Sequence, residues 1–124
     1  MNPRPTGTLT FLFTDIEGST KLAREHPDAW ENLRSHHHQI LRAAIESSHG
    51  VVFQVIGDAF CAAFHTAWNA LKATIKAQRK LQGEDSPIRV RMGIHTGEAE
   101  VYCDEYHGYL TLSLMQRVKI VQEM

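Results

Sequence analysis

Residues 51–64 constrain the fold more than any other stretch of this chain. Val51-Val52-Phe53-Gln54-Val55-Ile56 and Ala59-Phe60-Cys61-Ala62-Ala63-Phe64 are two apolar, β-type runs separated only by Gly57-Asp58. A Gly-Asp pair between two such runs reads as a two-residue hairpin loop, which obliges the runs to pair antiparallel. An earlier run, residues 8–14, reads as a central strand with Leu9, Phe11 and Phe13 on one face. It leads into Asp15 and then into a small-residue turn, Glu17-Gly18-Ser19-Thr20, that opens a helix. This order sets a carboxylate beside free backbone N–H groups, which is what a triphosphate and its cation require. Asp58, at the hairpin tip, supplies a second carboxylate, and together the two suggest two-metal phosphoryl chemistry.

The remaining periodicities complete a β-α-α-β-β-α-β order. Glu17 to Glu25 forms a short helix that His26-Pro27-Asp28 breaks, and Asp28 is placed to cap the next one. Over residues 29–48, Trp30, Leu33, His37, Ile40, Leu41, Ala44 and Ile45 recur at helical spacing, with a stop near Ser48-His49-Gly50. Thr66 is placed to cap a helix over residues 67–82, whose stripe of Ala67, Ala70, Leu71, Thr74, Ile75 and Gln78 is less apolar. Gly83 and Pro87 end it. Ile88, Val90, Met92 and Ile94 then alternate with polar or small residues as a strand does, Gly97 marks a bulge or close approach, and residues 98–103 continue extended. From Gly108, the residues Leu110, Leu114, Val118 and Val121 fit a last helix.

The simplest assembly is α+β: a ferredoxin-like antiparallel sheet with helices on one face. In that topology the first strand neighbours the hairpin, so Asp15 at its exit lands beside Asp58. No repeat, linker or low-complexity tract divides the 124 residues, which read as one domain. The formal net charge of −1 gives no global field for nucleic acid or an anionic membrane, so any polyanion site must be local. No apolar run approaches the roughly 20 residues that span a bilayer, and the segment from Met1 to Gly7 has no signal-peptide core. Cys61 lies in an apolar strand and Cys103 in a polar turn, so the expectation is a cytoplasmic chain with free thiols.

Three segments now resemble a class III nucleotidyl cyclase domain, the adenylate/guanylate cyclase homology domain. Phe13-Thr14-Asp15-Ile16-Glu17-Gly18-Ser19-Thr20 is similar to its first metal motif, and Gly57-Asp58-Ala59-Phe60-Cys61-Ala62-Ala63-Phe64 to its second. Val90-Arg91-Met92-Gly93-Ile94-His95-Thr96-Gly97-Glu98-Ala99 resembles the strand that follows. The segments keep the family's order across residues 8–108. The resemblance implies a palm-like fold, a head-to-tail homodimer, and cyclisation of ATP or GTP to a 3′,5′-cyclic nucleotide with release of pyrophosphate, a signalling reaction. It implies two Mg²⁺ or Mn²⁺ ions on Asp15, Asp58 and the carbonyl of Ile16. Backbone amides of Glu17, Gly18, Ser19 and Thr20 would then hold phosphate oxygens.

The chain departs from the family pattern at three places. Where many adenylate cyclases carry a base-reading lysine, three residues before the hairpin Gly-Asp, this chain has Gln54, and the partner base reader is Glu105 if Gly108 is the reference glycine. Purine identity stays open, with ATP favoured by family frequency alone. The last helix lacks the family's asparagine. One register places Ser113 and Arg117 at the asparagine and arginine positions, and another places Leu112 and Gln116 there. The family's further strands, with a phosphate-binding lysine, are not in this sequence, so a truncated or degenerate domain is expected. The alternative function is therefore a nucleotide-binding or dimerisation module of a larger signalling protein.

Other conspicuous residues carry plainer readings. His36-His37-His38 point in three directions from a helix and cannot chelate one ion together, so they read as a solvated face with His37 part-buried. Arg89 and Arg91 read as a charged solvent face of their strand, and Glu17 as a first-turn carboxylate complementing the helix dipole. Trp30 and Trp68 fit helix core faces or edges and need no ligand.

Overall fold

The hairpin forms as its residues require. Ile56 lies directly across from Ala59, and Gly57 takes the positive φ of 60° that a tight loop needs at its first central position. The computed structural model describes residues 7–83, 86–99, 101–102, 105–106 and 121–122. In chain order these form β1 (Gly7–Ile16), α1 (Ser19–Glu25), α2 (Trp30–Ser47), β2 (Val51–Ile56), β3 (Ala59–Phe64), α3 (Ala67–Gly83) and β4 (Val90–Ala99). Three two-residue strands follow: β5 (Val101–Tyr102), β6 (Glu105–Tyr106) and β7 (Val121–Gln122). The main sheet has the order β2-β3-β1-β4-β7, with β1 antiparallel to both of its neighbours, while β5 and β6 pair separately. This is the α+β, ferredoxin-like arrangement, with β1 between the hairpin and β4.

One face of the sheet is packed by helices. Ile40, Leu41, Ala44 and Ile45 of α2 and Ala70, Ala73, Ala77 and Leu81 of α3 meet Leu12, Ile16, Phe60, Ala62, Phe64, Val90 and Met92. Each fully buried Leu, Ile or Phe contributes roughly 1.5–3 kcal/mol, so this layer carries the fold. The buried face of α3 is rotated from the stripe expected: Ala73, Ala77 and Leu81 are buried, whereas Leu71 and Ile75 are half-buried and Ala67 is exposed. Small alanines let the helix approach closely. Its two buried polar residues are satisfied, Thr74 Oγ1 donating to the Ala70 carbonyl at 2.9 Å and Gln78 Nε2 to the Val90 carbonyl at 2.9 Å. The Leu9, Phe11 and Phe13 stripe points away from the helices and is buried too. Phe11 stacks on Phe13 and meets the edge of Phe53, with centroids 6.1 and 6.0 Å apart.

Several local expectations are corrected. Asp28 does not cap α2; Ala29 holds that position and no side chain caps the helix. Thr66 does receive a hydrogen bond from the Asn69 amide, at 3.1 Å. α2 stops near Ser48-His49-Gly50 as expected, with His49 as the left-handed residue, φ 64°. The His49 and Gly50 amides donate to the carbonyls of Glu46 and Ile45, the paired bonds of a Schellman turn. Gly50 is needed for a different reason, since a Cβ there would lie 2.6 Å from Phe64 Cζ and 2.9 Å from Ile45 Cγ2. Of the bulge or close approach expected at Gly97 the structure has the close approach: the residue pairs in register with Leu9 and a Cβ there would lie 3.2 Å from His95 Nε2, while the register shift lies in β2, between Val52 and Gln54. Val121 is in strand β7, opposite Met92, instead of a helix.

His37 is fully buried rather than part-buried, with both ring nitrogens lacking a hydrogen-bond partner. It packs edge-on against Phe60 and His38. Burial, then the neighbouring His38 and Arg34 against the opposing pull of Asp58, lowers its pKa from 6.5 to about 4. The unfolded chain therefore takes up this proton first. Stability from this residue is complete above pH 6.5, falls as pH drops towards 4 and levels off below. The full loss is about 3 kcal/mol. Urea unfolding at a series of pH values should show that acid limb flattened in His37→Leu, with equal or greater stability at pH 7 because two unpaired buried nitrogens are removed.

Candidate metal and nucleotide site

Asp15 follows Thr14, the last residue of β1 paired with both β3 and β4, and its direct cross-strand partner is Arg91. Opposite charges across an antiparallel pair attract. Here the guanidinium forks onto the carboxylate, Nε to Oδ1 and Nη2 to Oδ2, each at 2.8 Å. That hydrogen bond and charge raise the Arg91 pKa further above its already high value, so it stays cationic. Arg91 is thus part of the site and not the solvent face that strand alternation suggested. Arg89 is exposed, but its carbonyl accepts the Glu17 amide at 2.8 Å.

Asp58 is placed by the hairpin loop and is met from the helix layer. Arg34 Nε donates to its Oδ1 at 2.5 Å, and His38 Nε2 lies 3.0 Å from the same oxygen. Both residues belong to α2, one turn apart, so they share a face. His38 also stands edge-on to Phe60, and Arg42 lies over that ring at 5.9 Å from its centroid. The Asp58 side chain is 18% exposed, against 36% for Asp15. The three histidines do point different ways: His36 is exposed, His37 is in the core, and His38 is on the hairpin carboxylate.

One cleft of about 500 Å³ joins these parts. Asp15, Ile16, Gly18, Ser19, Thr20, Ile56, Gly57, Asp58, Ala59 and Arg91 line it. Gly18, at φ 63°, is the N-cap of α1 and lets the chain turn from strand into helix. The amides at the start of α1 are unpaired within the helix and face an anion favourably. Glu17 drops out of the expected phosphate cradle, because its amide is already bonded to Arg89 and the residue does not line the cleft. Gln54 is exposed on the edge strand β2 and lies outside the cleft. Glu105 falls in β6. Ser113 and Arg117 lie outside the described residues.

Two carboxylates and the Ile16 carbonyl form an all-oxygen donor set suited to Mg²⁺ or Mn²⁺. Among the described residues no three His, Cys, Asp or Glu side chains cluster as a metal cage. Such a set fits an ion that keeps water or phosphate oxygens in its shell, the usual habit of Mg²⁺.

Comparison with known proteins agrees with this geometry. The family model described as the adenylate and guanylate cyclase catalytic domain matches residues 1–108. An adenylate cyclase of Podospora anserina is 32% identical over 119 residues, covering 77% of this chain and 6% of that protein. An uncharacterized protein of Mycobacterium bovis is 37% identical over 106 residues, covering 84% of this chain and 36% of that one. This chain therefore spans only a small part of these relatives. Among solved structures, a Trypanosoma brucei adenylate cyclase described in its monomeric state superposes with a TM-score of 0.76 at 23% identity, over 85% of this chain and 63% of that one.

The hairpin loop should be intolerant of a side chain at its first position. Gly57→Ala forces alanine to a φ near 60° and should cost roughly 1–2 kcal/mol. Open space around the position makes this a backbone effect and not a clash. A denaturant midpoint unchanged from wild type would contradict it.

Proposed function

This chain belongs to the adenylate and guanylate cyclase catalytic domain family, and from that premise we propose that it converts ATP or GTP into a 3′,5′-cyclic nucleotide and pyrophosphate. The observation that carries this reading is the convergence of Asp15, Asp58 and the α1 amides on one cleft. In the reaction the ribose 3′-oxygen bonds to the α-phosphorus as the bond to the bridging oxygen breaks. The hydroxyl proton is lost and pyrophosphate departs. Bound Mg²⁺ or Mn²⁺, held by Asp15, Asp58 and the Ile16 carbonyl, would ease that proton loss and offset charge on the leaving group.

The chain's own residues supply the rest. Amides of Gly18, Ser19 and Thr20 bind phosphate oxygens at the helix start. Arg91, already in the cleft, exchanges Asp15 for a phosphate oxygen, keeping its charge where negative charge accumulates. Gln54 stands outside the cleft that holds the carboxylates, which supports a homodimer in which one copy holds the triphosphate and the other reads the purine. Glu105, Ser113 and Arg117 join the proposed site on the family pattern.

Incubation of the protein with Mn²⁺ and either ATP or GTP, followed by product chromatography, tests the reading. Cyclic nucleotide should form from at least one triphosphate, and Asp15→Ala or Asp58→Ala should lower kcat by roughly a hundredfold or more. No product from either triphosphate with dimeric protein would sink it.

A further inference from the structure

We propose that Arg34 is a built-in competitor for the divalent cation at Asp58, so that the site takes its cation together with a triphosphate in preference to the free ion. The inference rests on the metal reading above.

Every described contact of Asp58 falls on one oxygen. Arg34 Nε and His38 Nε2 both address Oδ1, and an oxygen with two lone pairs has no further direction to offer a metal. A cation must displace Arg34 or His38 from that oxygen, or bind the other one, and in the last two cases it does so beside the like charge of Arg34. Arg34, with five N–H donors and no acceptor, cannot turn to hold the cation itself. It does have somewhere to go. Glu31, one turn earlier on α2, lies 3.8 Å from Arg34 Nη1 and is 83% exposed.

The position of Arg34 separates it from Arg91. Arg91 lines the cleft, whereas Arg34 approaches Asp58 from the helix layer and does not. Arg34 therefore bears on the carboxylate and not on a nucleotide, a positioning role exerted through Asp58. A bare divalent ion meets two arginines already seated on its two carboxylates. The same ion carried by a triphosphate arrives with net negative charge, which Arg91 at the cleft attracts. The arrangement penalises the free ion and leaves the cation–nucleotide complex favoured.

Mn²⁺ alone, titrated calorimetrically into chelator-treated protein, reads this directly without catalysis. Wild type should bind weakly, and Arg34→Met should bind roughly tenfold or more tightly as the competing charge is removed. Arg34→Lys, which keeps the charge, should stay near wild type. Thermal melts give a second readout: Mn²⁺ should raise the Tm of Arg34→Met by more than it raises that of wild type. If Arg34→Met unfolds too early to titrate, Arg34→Gln takes its place. Unchanged or weaker Mn²⁺ binding in the uncharged variants overturns the proposal while leaving the metal reading intact. Mn²⁺ binding that survives Asp58→Asn unchanged, or no saturable binding in any variant, overturns the metal reading and this inference with it.

Discussion

Two carboxylates turned into one cleft repel each other unless positive charge stands beside them, and the register of β3, β1 and β4 imposes both the crowding and its relief. Pairing of Phe13 with Cys61 and of Thr14 with Phe60 brings the hairpin tip level with the end of β1. Pairing of Asp15 with Arg91 then delivers a guanidinium from the other side. A slip of one residue in either ladder would invert every side chain and scatter the site. The core that fixes this register, from Leu12 to Met92, is therefore also what fixes the chemistry.

The site divides into rigid and yielding parts. β1 is buried on both faces, with Leu9, Thr10, Phe11, Leu12, Phe13 and Thr14 all nearly inaccessible. Even its polar residues are engaged, Thr10 with Thr96 at 2.9 Å and Thr14 with the Phe60 amide at 3.4 Å. α1 is the opposite: seven residues, none buried, and no side-chain cap. So short a helix has little stability of its own. Asp15 thus sits on an element that opens only with the whole fold, while the Gly18-Ser19-Thr20 turn belongs to one that adjusts at small cost.

What was legible in the sequence was local or periodic. The hairpin, the order of elements and the meeting of Asp15 with Asp58 followed from turn chemistry, alternation and connectivity. What was not legible depended on which side chains a distant element presents. Arg91 alternated like a surface residue, and only its pairing opposite Asp15 gave it a role. Arg34 carried no signal and His38 was read as part of a solvated face, because α2 must first pack on the sheet before they can find a hairpin carboxylate. Glu17 was misassigned for a related reason: its amide goes to a carbonyl about seventy residues away. Asp28 shows the weakness of an end signal, since the neighbouring Ala29 holds the cap position with no side-chain bond.

The two arginines also show why similar ion pairs need not do similar work. Each joins a guanidinium to a partly exposed aspartate, and in water such pairs are worth little to stability. Arg91 engages both oxygens of Asp15 from a strand inside the main sheet, so its charge remains at the cleft whatever its side chain next contacts. Arg34 engages one oxygen from a helix whose exposed side offers Glu31. A negatively charged ligand entering the cleft draws on the first charge and is spared contact with the second. Geometry, more than pair strength, thus separates a cation that serves the ligand from one that governs the carboxylate.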